Sequence, residues 1–215
     1  MGVSEPLVST IAVVAGVVAL AVDGRQAVSI AVVAVGLGLA PSVASVGGGE
    51  ALLVVLASAA LAAVAGVTAR AVARRARWDA GLDPTVPVIA PRQQLFGPRS
   101  VRVFAAAISL PAASWVSFNV PVGAVAVVQG LLFPAAYIWT CGALRLVVAR
   151  TVADLAVGAT MVAFGGGAAW LVRGGGDAIT GLAIASSLPP LAAAAAGWLT
   201  GRHSRRASAA GARAA

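Results

Sequence analysis

The sequence predicts an all-α, polytopic membrane protein: a bundle of seven transmembrane helices. Three observations carry that prediction. The 215 residues are 60% hydrophobic and only 10% charged, with a mean hydropathy of +0.96, whereas a soluble domain keeps about a quarter of its residues charged. Apolar runs near membrane length recur along the chain, and the arginines fall almost entirely in alternate gaps between them.

Crossing ~30 Å of hydrocarbon at 1.5 Å per residue needs roughly 20 residues. Seven segments approach that length: 7–22, 26–46, 50–71, 101–118, 122–144, 151–172 and 178–200. The first is the shortest. Glu5 is the only charged side chain before it, so it lacks the basic start of a cleaved signal peptide and is expected to be a retained helix.

If all seven cross, the connections alternate between two sides. One side receives Arg25, then Arg70 to Arg102, then Arg145 and Arg150, then Arg202 to Arg213; the other receives only Arg173. Arginine-rich loops stay cytoplasmic, which places the N-terminus outside and the C-terminus inside. Losing or adding one span would scatter these charges. Tryptophan and tyrosine prefer the headgroup level, and they agree: Trp115 and Trp170 fall at expected outer ends, Tyr137, Trp139 and Trp198 toward inner ones.

The chain therefore reads as one transmembrane domain. Residues 7–72 hold the first three helices, 73–100 a cytoplasmic loop rich in Arg and Pro, 101–118 a linker helix, 122–200 the last three helices and 201–215 a basic cytoplasmic tail. The stretch "RAVARRARW" is expected to continue the third helix into the interface. Arg70, Arg74 and Arg77 then share a face, and with Arg75 they are candidate contacts to anionic lipid headgroups, with Trp78 at the boundary; the alternative is a topology anchor and nothing more. Beyond it, Pro84, Pro87, Pro91 and Pro98 favour an extended loop.

A faint internal echo runs through the chain. "GGGEA" at 47–51 matches "GGGDA" at 174–178, "AVVAG" at 12–16 matches "AVVQG" at 126–130, and "TAR" at 68–70 matches "TGR" at 200–202, in the same order. The implied plan is two parallel three-helix units joined by the fourth helix, an arrangement that in transporters places a site at the midplane between units.

Several functions lack the parts they need. The net charge is +8, but arginines in the loops of a hydrophobic chain point to membrane lipid as the partner and away from nucleic acid. One cysteine, Cys141, excludes an intrachain disulfide and reads as a small packing thiol. One histidine, His203, in the tail leaves no zinc site of the usual kind. No charged residue lies mid-span; Asp154, four residues after Arg150 at the start of the sixth span, reads as an interfacial ion pair. That argues against a pump coupled through carboxylates. No lysine exists for a Schiff base or a P-loop, and no base accompanies a serine nucleophile. Neither catalysis nor a cofactor or metal is expected.

The remaining signal is proline. Pro111, Pro134, Pro189 and Pro190 lie near the middle of spans four, five and seven, and each frees a carbonyl four residues earlier: those of Ala107, Gly130, Ala185 and Ser186. In hydrocarbon such carbonyls need a partner. Ser109, Gln129, Thr160, Ser186 and Ser187 lie at similar depth, with Ser58 the chief polar group at that level among the first three spans. Two readings compete. In one, hydroxyls cap the freed carbonyls and small residues such as Gly158, Ala159 and Ala163 let helices approach closely. In the other, kinked helices enclose a neutral polar pocket with the proline pair as hinge. Two functions correspond: an uncoupled permease or binder of a neutral or lipophilic small molecule in the cell membrane, or a non-catalytic structural or assembly subunit beside other membrane protein subunits.

Overall fold

The computed structural model describes residues 5–22, 27–79, 98–119, 126–149, 152–173, 177–192 and 194–195. Every regular element among them is helical. In chain order these are α1 (Glu5–Ala21), α2 (Ala27–Asp79), α3 (Pro98–Asn119), α4 (Ala126–Val147), α5 (Val152–Arg173) and α6 (Ala178–Ala192). Two stretches are long and apolar enough to cross a bilayer by length and composition: Ala27–Ala65, with mean hydropathy 2.1, and Asp154–Arg173, with 1.7. The apolar runs Leu7–Ala21, Leu132–Val147 and Ala178–Ala192 are shorter among the described residues.

The sequence predicts seven separate helices where the described residues form six, and the difference lies in α2. Within its 53 residues, Gly48 adopts φ 66° and ψ −158°, a conformation that residues with a Cβ avoid. Helical geometry resumes on both sides, so a single residue makes the turn where "GGGEA" suggests a loop. The two arms, residues 27–47 (α2a) and 49–79 (α2b), coincide with the second and third expected spans. They fold back on each other: a Cβ built on Gly36 would stand 3.1 Å from the Cβ of Ala59 and 3.7 Å from Val55. α2b continues helically through "RAVARRARW" to Asp79.

Three further pairs of chain neighbours pack as hairpins with glycines at the contacts: α1 with α2a, α4 with α5, and α5 with α6. Gly38 of α2a lies against Ala12 and Ala15 of α1. Gly142 of α4 meets the Met161 Cβ and the backbone of Gly158 and Val162, and Gly165 of α5 meets the backbone of Ala135 and Trp139. Gly167 of α5 meets Leu182 and Ala185 of α6. Small residues at these contacts let the helix backbones approach closely. Across the bundle, α1 runs parallel to α4, with Gly16 against Tyr137 and Ile138 and the end of α1 against Arg145. The Gly47 bend lies against Leu171 near the end of α5.

One core joins these helices, including Val32, Val35, Leu39, Val55, Tyr137, Ile138, Met161, Phe164 and Leu182. The outer surface is equally apolar. Large hydrophobic side chains stand exposed on all six helices, among them Val14, Leu53, Leu61, Phe104, Trp115, Phe118, Trp139, Leu155, Trp170 and Ile184. Phe118 is 71% exposed and Leu53 67%.

Candidate functional site

The described polar side chains of the interior form three groups. The first is built on Arg145, in the last turn of α4 and 1% exposed. Its Nη1 donates to the carbonyls of Ala19 and Leu20, the latter at 3.2 Å, and its Nη2 donates to the Val22 carbonyl at 3.1 Å and to Asp154 Oδ1 at 3.0 Å. The last carbonyls of a helix have no partner within it, so this guanidinium caps the end of α1. Asp154 occupies the first turn of α5, where the helix dipole favours a carboxylate, as the end of α4 favours a cation. The pair thus spans the α4–α5 turn and ties α1 to it.

The expected pair of Asp154 with Arg150 involves a residue outside the described ones; among the described residues Asp154 pairs with Arg145. Sequence reasoning took Arg145 only as a marker of the cytoplasmic side. A usable signal was present: Arg145 and Asp154 flank a short helix–helix turn, so their two ends had to lie close together.

The second group sits at the proline pair. α6 is helical through both Pro189 and Pro190, and the Ser58 hydroxyl of α2b donates to the Ser186 carbonyl. That is the carbonyl Pro190 frees, and its new partner comes from a neighbouring helix. Pro189 is buried and Pro190 half-buried.

The third group surrounds Tyr137 and Cys141, both fully buried one turn apart on α4. Cys141 lies against Ser109 of α3 as well as Tyr137, and the Tyr137 ring stacks on Phe133 with centroids 6.1 Å apart. The hydroxyls of Ser186 and Ser42 are buried with no hydrogen-bond partner among the described residues, and that of Tyr137 has the Cys141 thiol beside it as a weak partner. An unsatisfied buried hydroxyl costs about 1–3 kcal/mol and calls for a water or ligand to meet it.

The other expected site residues are dispersed. Ser109 donates to the Ala105 carbonyl at 2.8 Å and Thr160 to the Ala156 carbonyl at 2.7 Å, each within its own helix. Ser187 is exposed and donates to the Ile184 carbonyl at 2.7 Å. Pro111 is exposed and Pro134 buried. Of the small residues, Gly158 is used at the α4 contact while Ala159 faces outward. The side chains of Gln129, Arg70, Arg74 and Arg77 lie outside the described residues, and Arg75 is exposed. Sequence reasoning missed Pro41 inside α2a and the buried hydroxyls of Ser42 and Tyr137.

No family model, no curated protein and no solved structure matches this chain.

Proposed function

We propose that this chain is an integral protein of the cell membrane that crosses it seven times, N-terminus outside, and binds or passively conducts a neutral or lipophilic small molecule. The observation that carries the functional part is the pair of buried hydroxyls of Ser186, unpartnered among the described residues, and Tyr137, met there by the weakly bonding Cys141 thiol, in an interior whose charged pair, Arg145 and Asp154, is mutually neutralised at one end. Hydroxyls of that kind suit an uncharged polar solute. The apolar outer surface supports the membrane assignment, because soluble monomers keep apolar patches small.

The two-unit plan gains support from packing. In each proposed unit the middle helix carries two glycines two residues apart, one facing each flanking helix, though in opposite order: Gly36 faces the third helix and Gly38 the first, while Gly165 faces the first and Gly167 the third. The parallel contact of α1 with α4 fits the same plan. A second reading, a subunit that contributes packing surface to a larger membrane assembly, is favoured by Ser109 and Thr160, whose hydroxyls are already satisfied by their own helices.

Reconstitution in liposomes separates the two. Uptake of a panel of uncharged solutes should exceed that of empty vesicles, and Tyr137→Phe or Ser186→Ala should change it several-fold while leaving the melting temperature nearly unchanged. Absence of flux and binding for every solute, with a stoichiometric partner retained in mild detergent, would instead establish the subunit reading.

A further inference from the structure

Between the two arms of α2, on the side away from the Gly48 bend, the helices part to leave an apolar groove of about 420 Å³. Its walls include Ser29, Ile30, Val33 and Leu37 from α2a, and Ala63 and Val67 from α2b. Leu37 is 54% and Val67 60% exposed, so the groove is open sideways to whatever surrounds the protein. The arms touch at Gly36 and Ala59, which closes the groove on the side of the bend.

The chemistry changes beyond the other end. Ala63 and Val67 belong to a helix face whose next positions, at alternating spacings of three and four, are Arg70, Arg74 and Arg77. On the register set by Gly36 opposite Ala59, α2a begins opposite the Thr68–Ala69 turn. α2b runs on to Asp79, about 15 Å further at 1.5 Å per residue. The apolar wall therefore continues, on one face and past the end of its neighbour, into three arginine positions in a row. A groove that accepts hydrocarbon along its length, followed by cationic positions at its mouth, has the polarity profile of one anionic amphiphile.

We infer that the α2 groove is a site for an anionic phospholipid of the cytoplasmic leaflet, a reading that rests on the proposed topology, with an acyl chain between the arms and its phosphate at the end where the helix face continues through positions 70, 74 and 77. Guanidinium forks match phosphate oxygens in pairs, whereas a zwitterionic headgroup presents a cation to the same positions. The site is distinct from the interior hydroxyl groups, so the failure of one assignment leaves the other standing.

The test is a titration of detergent-purified full-length protein with fluorescent phosphatidylglycerol and phosphatidylcholine, with melting temperature recorded alongside. One phosphatidylglycerol per chain should bind saturably and at least tenfold more tightly than phosphatidylcholine. The triple variant R70Q/R74Q/R77Q should bring the two lipids within about twofold of each other, while Arg205→Gln in the tail should leave the preference intact. Ala63→Phe, which fills the groove, should weaken phosphatidylglycerol binding about tenfold with the arginines untouched; Ala34→Leu on the opposite wall serves if that variant does not fold. Equal affinity for both lipids in the wild type would overturn the inference. So would undiminished phosphatidylglycerol binding by a folded groove-filling variant, which would reduce the arginines to a diffuse surface attraction.

Discussion

Arg145 is the residue on which local structure depends most heavily. Its guanidinium satisfies three carbonyls from the end of α1 and the carboxylate of Asp154, and removing it takes that donor from all four. Breaking one partner of a buried ion pair costs about 3–5 kcal/mol. Arg145→Ala should therefore lower the unfolding free energy in detergent by that order, and Arg145→Lys should recover only a minor part. A single ammonium cannot reach four acceptors in a planar fork. Tryptophan fluorescence during thermal unfolding reads this directly; equal melting temperatures for wild type and Arg145→Lys would mean that the charge alone suffices. From the sequence Arg145 is expected on the cytoplasmic side, and its burial is not legible there, because its contacts with Ala19 and Val22 span more than a hundred residues and leave no local pattern. Ser58 was more legible. Pro190 specifies which carbonyl loses its partner, and depth along the spans brings Ser58 level with it.

At the level of elements, glycine position decides which helices can meet. In the run Gly165–Gly166–Gly167 the three residues occupy different surroundings. A Cβ on Gly165 would lie 2.7 Å from the Trp139 nitrogen and 2.8 Å from the Ala135 carbonyl oxygen, both backbone atoms that cannot rotate away. On Gly166 the nearest atom would be Trp139 Cδ1 at 3.8 Å, an ordinary contact. Gly165→Ala should accordingly separate α4 from α5 and cost about 1–3 kcal/mol. Gly166→Ala should be neutral or gain up to about 1 kcal/mol, because alanine is the better helix former. Chemical or thermal unfolding of the two variants side by side checks the contrast, and identical shifts would contradict the close α4–α5 packing. Helix positions were legible from apolar run length, and the boundaries of α1, α3, α4 and α5 fall within a few residues of the expected spans. The Gly48 bend was not, because three adjacent glycines look like a loop whichever of them turns the chain.

The described part of the molecule presents apolar side chains inside and outside, as the proposed hydrocarbon surrounding requires. Alternating arginine placement, readable from sequence alone, is the basis of the proposed orientation. Helix ends group consistently with it: Val22, Arg145 and Asp154 meet at one end, while Gly47 meets Leu171 at the other. What the sequence left open was which buried polar groups keep partners, since that depends on how far apart α2b, α4 and α6 stand. Seven crossings with opposite termini is the central proposal, and labelling of single cysteines in intact cells by an impermeant maleimide tests it most directly. In a Cys141→Ala background, cysteines at Ser4 and at Gly49, where a side chain meets open space, should react from outside. Cysteines at Arg75 and Ser208 should react only after permeabilisation, whereas labelling of Ser4 and Ser208 from the same side would contradict the seven-helix topology.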